Sequence, residues 1–200
     1  EALPFFVRLI DVSPNDWSLH YMAGQCFRFS NQLPESVRSL SKAASLNPNE
    51  PHVFLALGIA RQLTENYELA VEALEQAIRL DPHLFSAYNS IGLTYRKIGN
   101  FRKALEWYSR AAKTIVATVS DKVHREPEKC FREEIIDGKK TQVILPYTLA
   151  KTHEMLRSDP TYAIVKNNIG VCLIELGEIV AAREQFTESI EFIPDGYKYP

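Results

Sequence analysis

The chain has few of the features that mark a secreted, membrane-spanning or nucleic-acid-binding protein. It has three cysteines in 200 residues, without a Cys-x-x-Cys pair, which argues against a disulfide framework and a zinc or redox site. No apolar run approaches the roughly 18 residues that a membrane span needs. The net charge of −2 gives no general attraction to nucleic acid or acidic membranes. With no signal-like N-terminus, these absences predict a cytoplasmic protein with neither a membrane nor a nucleic-acid partner.

Recognisable catalytic chemistry is also absent. The five histidines show no spacing typical of metal ligands. His153 and Glu154 lack a second histidine at position 157, which is Arg157, so the zinc-protease helix motif fails. We therefore expect no catalytic residue, no metal site and no cofactor, and predict that the protein is not an enzyme.

What the sequence does contain is a repeat. One glycine column and one proline column recur with the same period of 34 residues, which is typical of stacked helix–turn–helix units. The columns are Gly24, Gly58 and Gly92, and Pro14, Pro48 and Pro82. Two more columns hold small residues, at Ser36, Ala70 and Ala104 and at Ala43, Ala77 and Ala111. Small residues let two helix backbones approach closely, so these columns predict helix-packing contacts.

The ends of the helices are also predicted. Proline cannot continue a helix, so each proline of the column closes a unit. Asn31, Gly99 and Gly177 stand where a first helix must turn back, and they suit a left-handed helix cap.

These columns resemble the tetratricopeptide repeat, whose pattern joins Leu-Gly-x-x-Tyr, a downstream Ala-x-x-x-Phe and a final proline. Here residues 91–95 read Ile-Gly-Leu-Thr-Tyr and residues 104–108 read Ala-Leu-Glu-Trp-Tyr. The pattern recurs at 169–173, at 182–186 and at Pro194. The resemblance implies an all-α fold, a right-handed α-solenoid of helix–turn–helix repeats. It also implies a concave groove, lined by the first helices, that captures peptides of partner proteins.

The repeats predict one array over residues 1–200. Its parts are a half repeat with the second helix only at 1–16, repeats at 17–50, 51–84, 85–118 and 163–196, and a degenerate repeat with a charged insert at 119–162. Pro160 follows Pro82 by 78 residues, which is two periods and ten extra residues. Apolar spacing predicts that the helix from Phe101 runs on to about Arg125. Asp137-Gly138 favours a small hairpin in the insert, and an irregular loop is an equal alternative.

Projecting the family's groove onto this chain selects one face of each first helix. The candidate groove residues are Tyr21, Gln25, Arg28, His52, Leu55, Ile59, Gln62, Ser86, Asn89, Leu93, Arg96, Asn167, Val171 and Ile174. Several of them are apolar where solvent would favour charge, which indicates a surface that buries a ligand. The alternative is that some of them contact the neighbouring repeat.

One family subtype is disfavoured. Tetratricopeptide domains that grip the acidic tail of cytosolic chaperones use a clamp of Lys, Asn, Asn, Lys and Arg. The matching columns here hold Tyr21, Gln25, Ala56, Ser86 and Ser90, none of which agrees.

The sequence is compatible with three functions. The first is a non-catalytic scaffold that binds a peptide or partner protein, alone or as a repeat domain of a larger protein. The second is a self-association module that stacks through exposed array ends into a homo-oligomer. The third, an enzyme or enzyme accessory, has no convergent titratable groups to support it.

Overall fold

The computed structural model describes residues 3–124, 131–136, 139–144 and 146–194. The chain divides into two compact units, Glu1–Trp107 and Tyr108–Pro200. The helices are α1 (Leu3–Val12), α2 (Trp17–Phe29), α3 (Leu33–Leu46), α4 (Pro51–Leu63), α5 (Tyr67–Leu80), α6 (Phe85–Lys97), α7 (Phe101–His124), α8 (Pro146–Arg157), α9 (Thr161–Glu175) and α10 (Ile179–Glu191). The strands are β1 (Phe131–Ile136) and β2 (Lys139–Ile144).

The helices of the first unit pack in consecutive pairs. α2 packs on α3 and α4 packs on α5, and each pair contacts the next through α3 with α4 and α5 with α6. The fold class is therefore confirmed as an array of paired helices. Helix starts carry their expected signals: Asp16 Oδ1 accepts a hydrogen bond from Ser18 N–H at 2.9 Å before α2, and Pro51 occupies the first turn of α4. The hydrogen bonds from Ser18 also lower the pKa of Asp16 below its ordinary value.

The glycine column marks the closest approach within each pair. A Cβ atom at Gly24 would lie 2.6 Å from Leu40 Cγ, and one at Gly58 would lie 2.5 Å from Leu74 Cγ. In the second unit, a Cβ atom at Gly170 would lie 2.6 Å from the ring of Phe186. Non-bonded carbon atoms settle about 3.5–4.0 Å apart, so any side chain in this column would push the two helices apart.

All three predicted left-handed turns are present. The φ angles are 58° at Asn31, 77° at Gly99 and 80° at Gly177. Glu65 holds the same place in the second repeat with φ 62°, although glutamate is not a residue that favours this conformation. In each turn the next residue donates its N–H to a carbonyl five residues back, as Asn66 does to Arg61 at 2.9 Å.

The prolines of the repeat column end each repeat, and the carbonyl oxygens of Pro14 and Pro82 also accept hydrogen bonds from the next repeat. His20 lies 2.9 Å from the carbonyl of Pro14 through Nε2, and Tyr88 donates its hydroxyl to the carbonyl of Pro82 at 3.1 Å. Because a carbonyl only accepts, His20 donates from Nε2. The same column therefore ties the start of each of these repeats to the end of the one before.

The second unit contains the end of α7, the two strands and three helices. α7 is helical through His124, and the predicted end at about Arg125 lies outside the described residues. β1 and β2 pair antiparallel, with Phe131 opposite Ile144 and Ile136 opposite Lys139, so the described residues are not all helical. The predicted turn at 137–138 and residues 125–130 of the insert lie outside the described residues. α9 packs on α10, and Arg157 at the end of α8 donates from Nε to the carbonyl of Glu191 at 2.6 Å.

Candidate functional site

The candidate residues of the first unit lie on three adjacent helices. α2 contacts α4, and α4 contacts α6, so these first helices lie side by side. We call their shared candidate face the first-helix surface; its residues are Tyr21, Gln25, Arg28, His52, Leu55, Ile59, Ser86, Asn89, Leu93 and Arg96. His52 is exposed and the other nine are half-buried. Partial burial on adjacent helices gives a surface on which a ligand can rest.

Hydrogen bonds order the α2 part of this surface. Gln25 donates from Nε2 to the hydroxyl of Tyr21 at 3.2 Å and accepts from Arg28 Nε at 3.0 Å. The Arg28 guanidinium also lies over the ring of Phe29, 4.3 Å from its centroid. Phe29 is 78% exposed, and the repeat pattern does not single it out. Such an exposed arginine–aromatic pair presents a flat, cationic contact at the end of α2.

Two of the half-buried residues also belong to the core. Leu55 packs against a cluster that includes Leu74 of α5 and Ile91 of α6. Tyr21 packs against the cluster around Leu40 and Val53. For these two positions, contact with neighbouring helices explains part of their apolar character.

Gln62 does not belong to an open surface. It is only 3% exposed, and its Nε2 donates to the carbonyl of Ser90 at 3.1 Å and to Thr94 Oγ1 at 2.8 Å. Both acceptors lie on α6, in the next repeat. Gln62 therefore joins two repeats, because its buried amide finds acceptors only there, and a ligand has no access to it.

The last three candidates belong to the second unit. Asn167 and Val171 are half-buried on α9, and Ile174 is 48% exposed. They form a separate patch within that unit, and the first-helix surface does not include them.

The charge of the first-helix surface has one sign. Arg28 and Arg96 carry positive charge, and none of its ten residues is acidic. Leu55, Ile59 and Leu93 supply apolar contacts. This combination suits a ligand that brings a carboxylate together with apolar side chains.

A second polar cluster lies between α9 and α10. Lys166 Nζ lies 2.8 Å from Glu188 Oε2 and donates to Gln185 Oε1 at 3.1 Å. The Tyr162 hydroxyl donates to Glu188 Oε1 at 2.6 Å. Burial raises the pKa of Tyr162 well above its ordinary value, and the hydrogen bond and charge of Glu188 add to this. All these groups have partners within the cluster, so it stabilises the helix pair and shows no sign of a reactive group.

The described residues carry neither a metal cluster nor a membrane span. Nowhere in them do three or more His, Cys, Asp or Glu side chains group so that they would hold a metal ion. None of the helices described combines the length and apolar character needed to cross a membrane. Cys26 is half-buried and Cys172 is buried, and both are free thiols.

Paired helices, a glycine column and left-handed turns define a helical-repeat protein. A family profile described as "TPR repeat" matches residues 63–99, and a second one, "Tetratricopeptide repeat", matches residues 85–114. Residues 63–114 therefore contain tetratricopeptide repeats, and the resemblance of the sequence motifs is confirmed.

Solved structures agree on the fold. A crystal structure of MamA matches with a TM-score of 0.68 and 18% identity, over 96% of this chain and 86% of that one. MamA from Desulfovibrio magneticus RS-1, residues 41 to the end, matches with a TM-score of 0.66 and 18% identity, over 96% and 83%. At this identity the likeness concerns the fold alone. No protein with a curated description matches the sequence.

Proposed function

We propose that this protein is a non-catalytic interaction module that holds a segment of a partner protein on the first-helix surface. The main support is the side-by-side packing of α2, α4 and α6, which joins half-exposed residues from three repeats. Tetratricopeptide repeats generally mediate contacts between proteins, so the class of function agrees. The two free thiols fit the reducing cytoplasm, where we place the protein.

The partner segment we favour carries carboxylates beside apolar side chains. Arg28 and Arg96 supply the positive charge, and Ile59 and Leu93 supply the apolar contact. The five columns of the chaperone-tail clamp lack its residues, so we expect a partner other than a chaperone tail.

The test compares two arginine substitutions. Arg28 and Arg79 each donate from Nε to a glutamine three residues earlier, at 3.0 Å and 2.9 Å. Arg28→Glu and Arg79→Glu therefore change the charge equally and remove the same kind of local hydrogen bond. Only Arg28 lies on the first-helix surface, because Arg79 is an exposed residue of the second helix α5.

Wild-type and variant proteins are used to capture partners from the source cells, and bound proteins are quantified by mass spectrometry. We expect at least one captured protein to be lost with Arg28→Glu and retained with Arg79→Glu. Circular dichroism checks that both variants stay helical. If no captured protein distinguishes the two variants, the first-helix surface is not the binding site.

A second candidate function is self-association through the outer face of α10. Ile190 is 71% exposed, whereas Ile78, its counterpart in α5, packs against the next repeat and Ala44, its counterpart in α3, is buried. Ile190→Glu should then reduce the sedimentation coefficient of an oligomer, while Leu69→Glu, at a 46% exposed position of α5, should not. If the wild-type protein sediments as a monomer at high concentration, self-association through α10 is excluded.

A further inference from the structure

Each unit has a crevice between a second helix and a later helix pair. In the first unit the crevice has a volume of about 340 Å³ and is bounded by α3, α4 and α5. In the second unit it has a volume of about 590 Å³ and is bounded by α7, α9 and α10. We call the second one the α7–α9 crevice.

The two crevices are built from the same columns of the repeat. Ser41 and Ala44 of α3 correspond to Ser109 and Ala112 of α7, two periods later. Leu57 of α4 corresponds to Ile169 of α9 by the offset that also relates the glycines of these helices. Equivalent columns of α7 and α9 therefore line the second crevice as columns of α3 and α4 line the first. The first crevice serves as an internal reference for the second.

The α7–α9 crevice is larger because of the residue at one position of the repeat. Phe54 lines the first crevice, and its ring packs against the apolar clusters on both sides of α4. The corresponding residue of α9 is Lys166. Its ammonium is drawn to α10 by Glu188 at 2.8 Å and Gln185 at 3.1 Å. A side chain held in this way does not fill the space that Phe54 fills in the first unit.

The charges that line the two crevices also differ. Arg61 and Glu72 line the first crevice, so both signs are present. Lys113 and Lys166 line the α7–α9 crevice, and no acidic residue is among its lining residues. The Lys166 ammonium already contacts Glu188 and Gln185, and it lies over the ring of Tyr162, 5.5 Å from its centroid. Lys113 is exposed.

Apolar and small side chains form the rest of the lining. Ile169 and Leu173 of α9 face Val116 and Ala117 of α7. A volume of about 590 Å³ falls in the range of about 300–1,000 Å³ that is usual for ligand pockets.

We propose that the α7–α9 crevice is a second binding site, separate from the first-helix surface, that takes a partner peptide with a carboxylate next to an apolar side chain. The apolar side chain enters between α7 and α9, and the carboxylate pairs with Lys113. Charge complementarity selects this occupant, because the lining contains no acidic residue and Lys113 is exposed, whereas the charge of Lys166 is already paired with Glu188.

The experiment starts from a random peptide library displayed on phage, selected against the whole wild-type chain. Enriched peptides are synthesised with a fluorophore, and their dissociation constants are measured by fluorescence anisotropy. We expect enriched peptides with Asp or Glu beside Leu, Ile or Phe. Lys113→Glu should weaken their binding by about tenfold or more, since it replaces an attraction with a repulsion.

Two further variants close the crevice. Lys166→Phe introduces the ring that fills the first crevice, and Ala117→Trp fills the space from an exposed position of α7 where the fold tolerates a larger side chain. Each should weaken binding by at least about tenfold. Circular dichroism identifies a variant that fails to fold. If Lys166→Phe fails to fold because it loses the ion pair with Glu188, Ala117→Trp alone tests the proposal.

Two control variants show whether the selected peptides bind at the α7–α9 crevice alone. Peptides whose binding Ala117→Trp weakens are assigned to the α7–α9 crevice, and those whose binding Arg28→Glu weakens are assigned to the first-helix surface. Ser45→Glu, at the first-unit position that corresponds to Lys113, and Arg28→Glu should not alter binding of the peptides assigned to the crevice. The proposal is overturned if no peptide is enriched, if every enriched peptide binds Ala117→Trp as well as wild type, or if the peptides that Ala117→Trp weakens lack acidic residues. It is also overturned if Ala117→Trp lowers the mass of the protein in sedimentation, because a second copy would then occupy the crevice.

Discussion

The substitution Gly58→Ala tests whether close helix approach, and not backbone freedom, accounts for the glycine column. An added Cβ would lie 2.5 Å from Leu74 Cγ, 2.7 Å from Leu74 Cδ2 and 3.1 Å from the carbonyl oxygen of Ala70. Carbon atoms normally settle about 3.5–4.0 Å apart, so Leu74 must withdraw by about 1 Å. Leu74 is fully buried beside Ala77, Ala87 and Ile91, so no free space receives it.

Two opposing effects set the magnitude. Overpacking a well-filled core costs about 1–3 kcal/mol, while alanine is favoured over glycine in a helix by about 1 kcal/mol. We therefore expect Gly58→Ala to reduce the free energy of unfolding by about 0–2 kcal/mol. For a protein of this size that is a fall of up to roughly 8 °C in the midpoint of thermal unfolding.

The assay is thermal and urea unfolding followed by circular dichroism at 222 nm. Gly58→Ala is measured with Leu74→Ala and with the double variant, which form a double-mutant cycle. Leu74→Ala alone should cost about 2–5 kcal/mol, and the extra methyl at position 58 should recover part of it, because it enters the space that Leu74 leaves. A Gly58→Ala protein more stable than wild type, or a cycle without coupling, would refute the steric account.

Three further predictions follow from buried or strained groups. Glu65→Gly should raise the free energy of unfolding by about 1 kcal/mol, because glycine adopts the φ of 62° without strain; unchanged or lower stability in urea would contradict this. Gln62→Glu should lose more stability at neutral pH than Gln62→Leu, because a carboxylate oxygen would replace the Nε2 group that donates to Thr94 Oγ1. Burial would raise the pKa of the new carboxyl group in the folded variant, so the lost stability should return as the pH falls toward about 4. A loss of stability that does not change with pH would contradict the buried position of residue 62. The raised pKa of Tyr162 means that its contribution to stability is complete below pH 10 and is lost as the pH rises further; Tyr162→Phe, which keeps the ring and removes the contact with Glu188, should flatten this alkaline loss in pH-dependent unfolding.

Much of the fold was predictable because the signals for it are local. The left-handed turns at Asn31, Gly99 and Gly177 were predicted from single residues, and the extension of α7 through His124 was predicted from apolar spacing. The turn at Glu65 was missed, since glutamate carries no preference for positive φ. It holds that angle because the helices on both sides impose it.

The candidate sites were harder to predict from the sequence. A residue's position in the repeat indicates which face of its helix it occupies, but it does not indicate which neighbouring helix covers that face. Gln62 shares its column with exposed positions, yet α6 covers it. A signal for the α7–α9 crevice was present in the sequence: the column of His20, Phe54 and Tyr88 holds rings, and Lys166 breaks it. The effect of this lysine on the crevice depends on Glu188 of α10, which pairs with the Lys166 ammonium.

The sequence by itself determined the period, the pairing of helices and the places where the chain turns. These properties depend on residues within one repeat of each other, and propensity, capping and small-residue spacing act over that distance. Only the tertiary structure decided that columns of α7 and α9 line one crevice, and which candidate residues share a surface. Those outcomes depend on contacts between segments far apart in the chain, where burial and charge pairing choose among arrangements that the repeat pattern leaves equivalent.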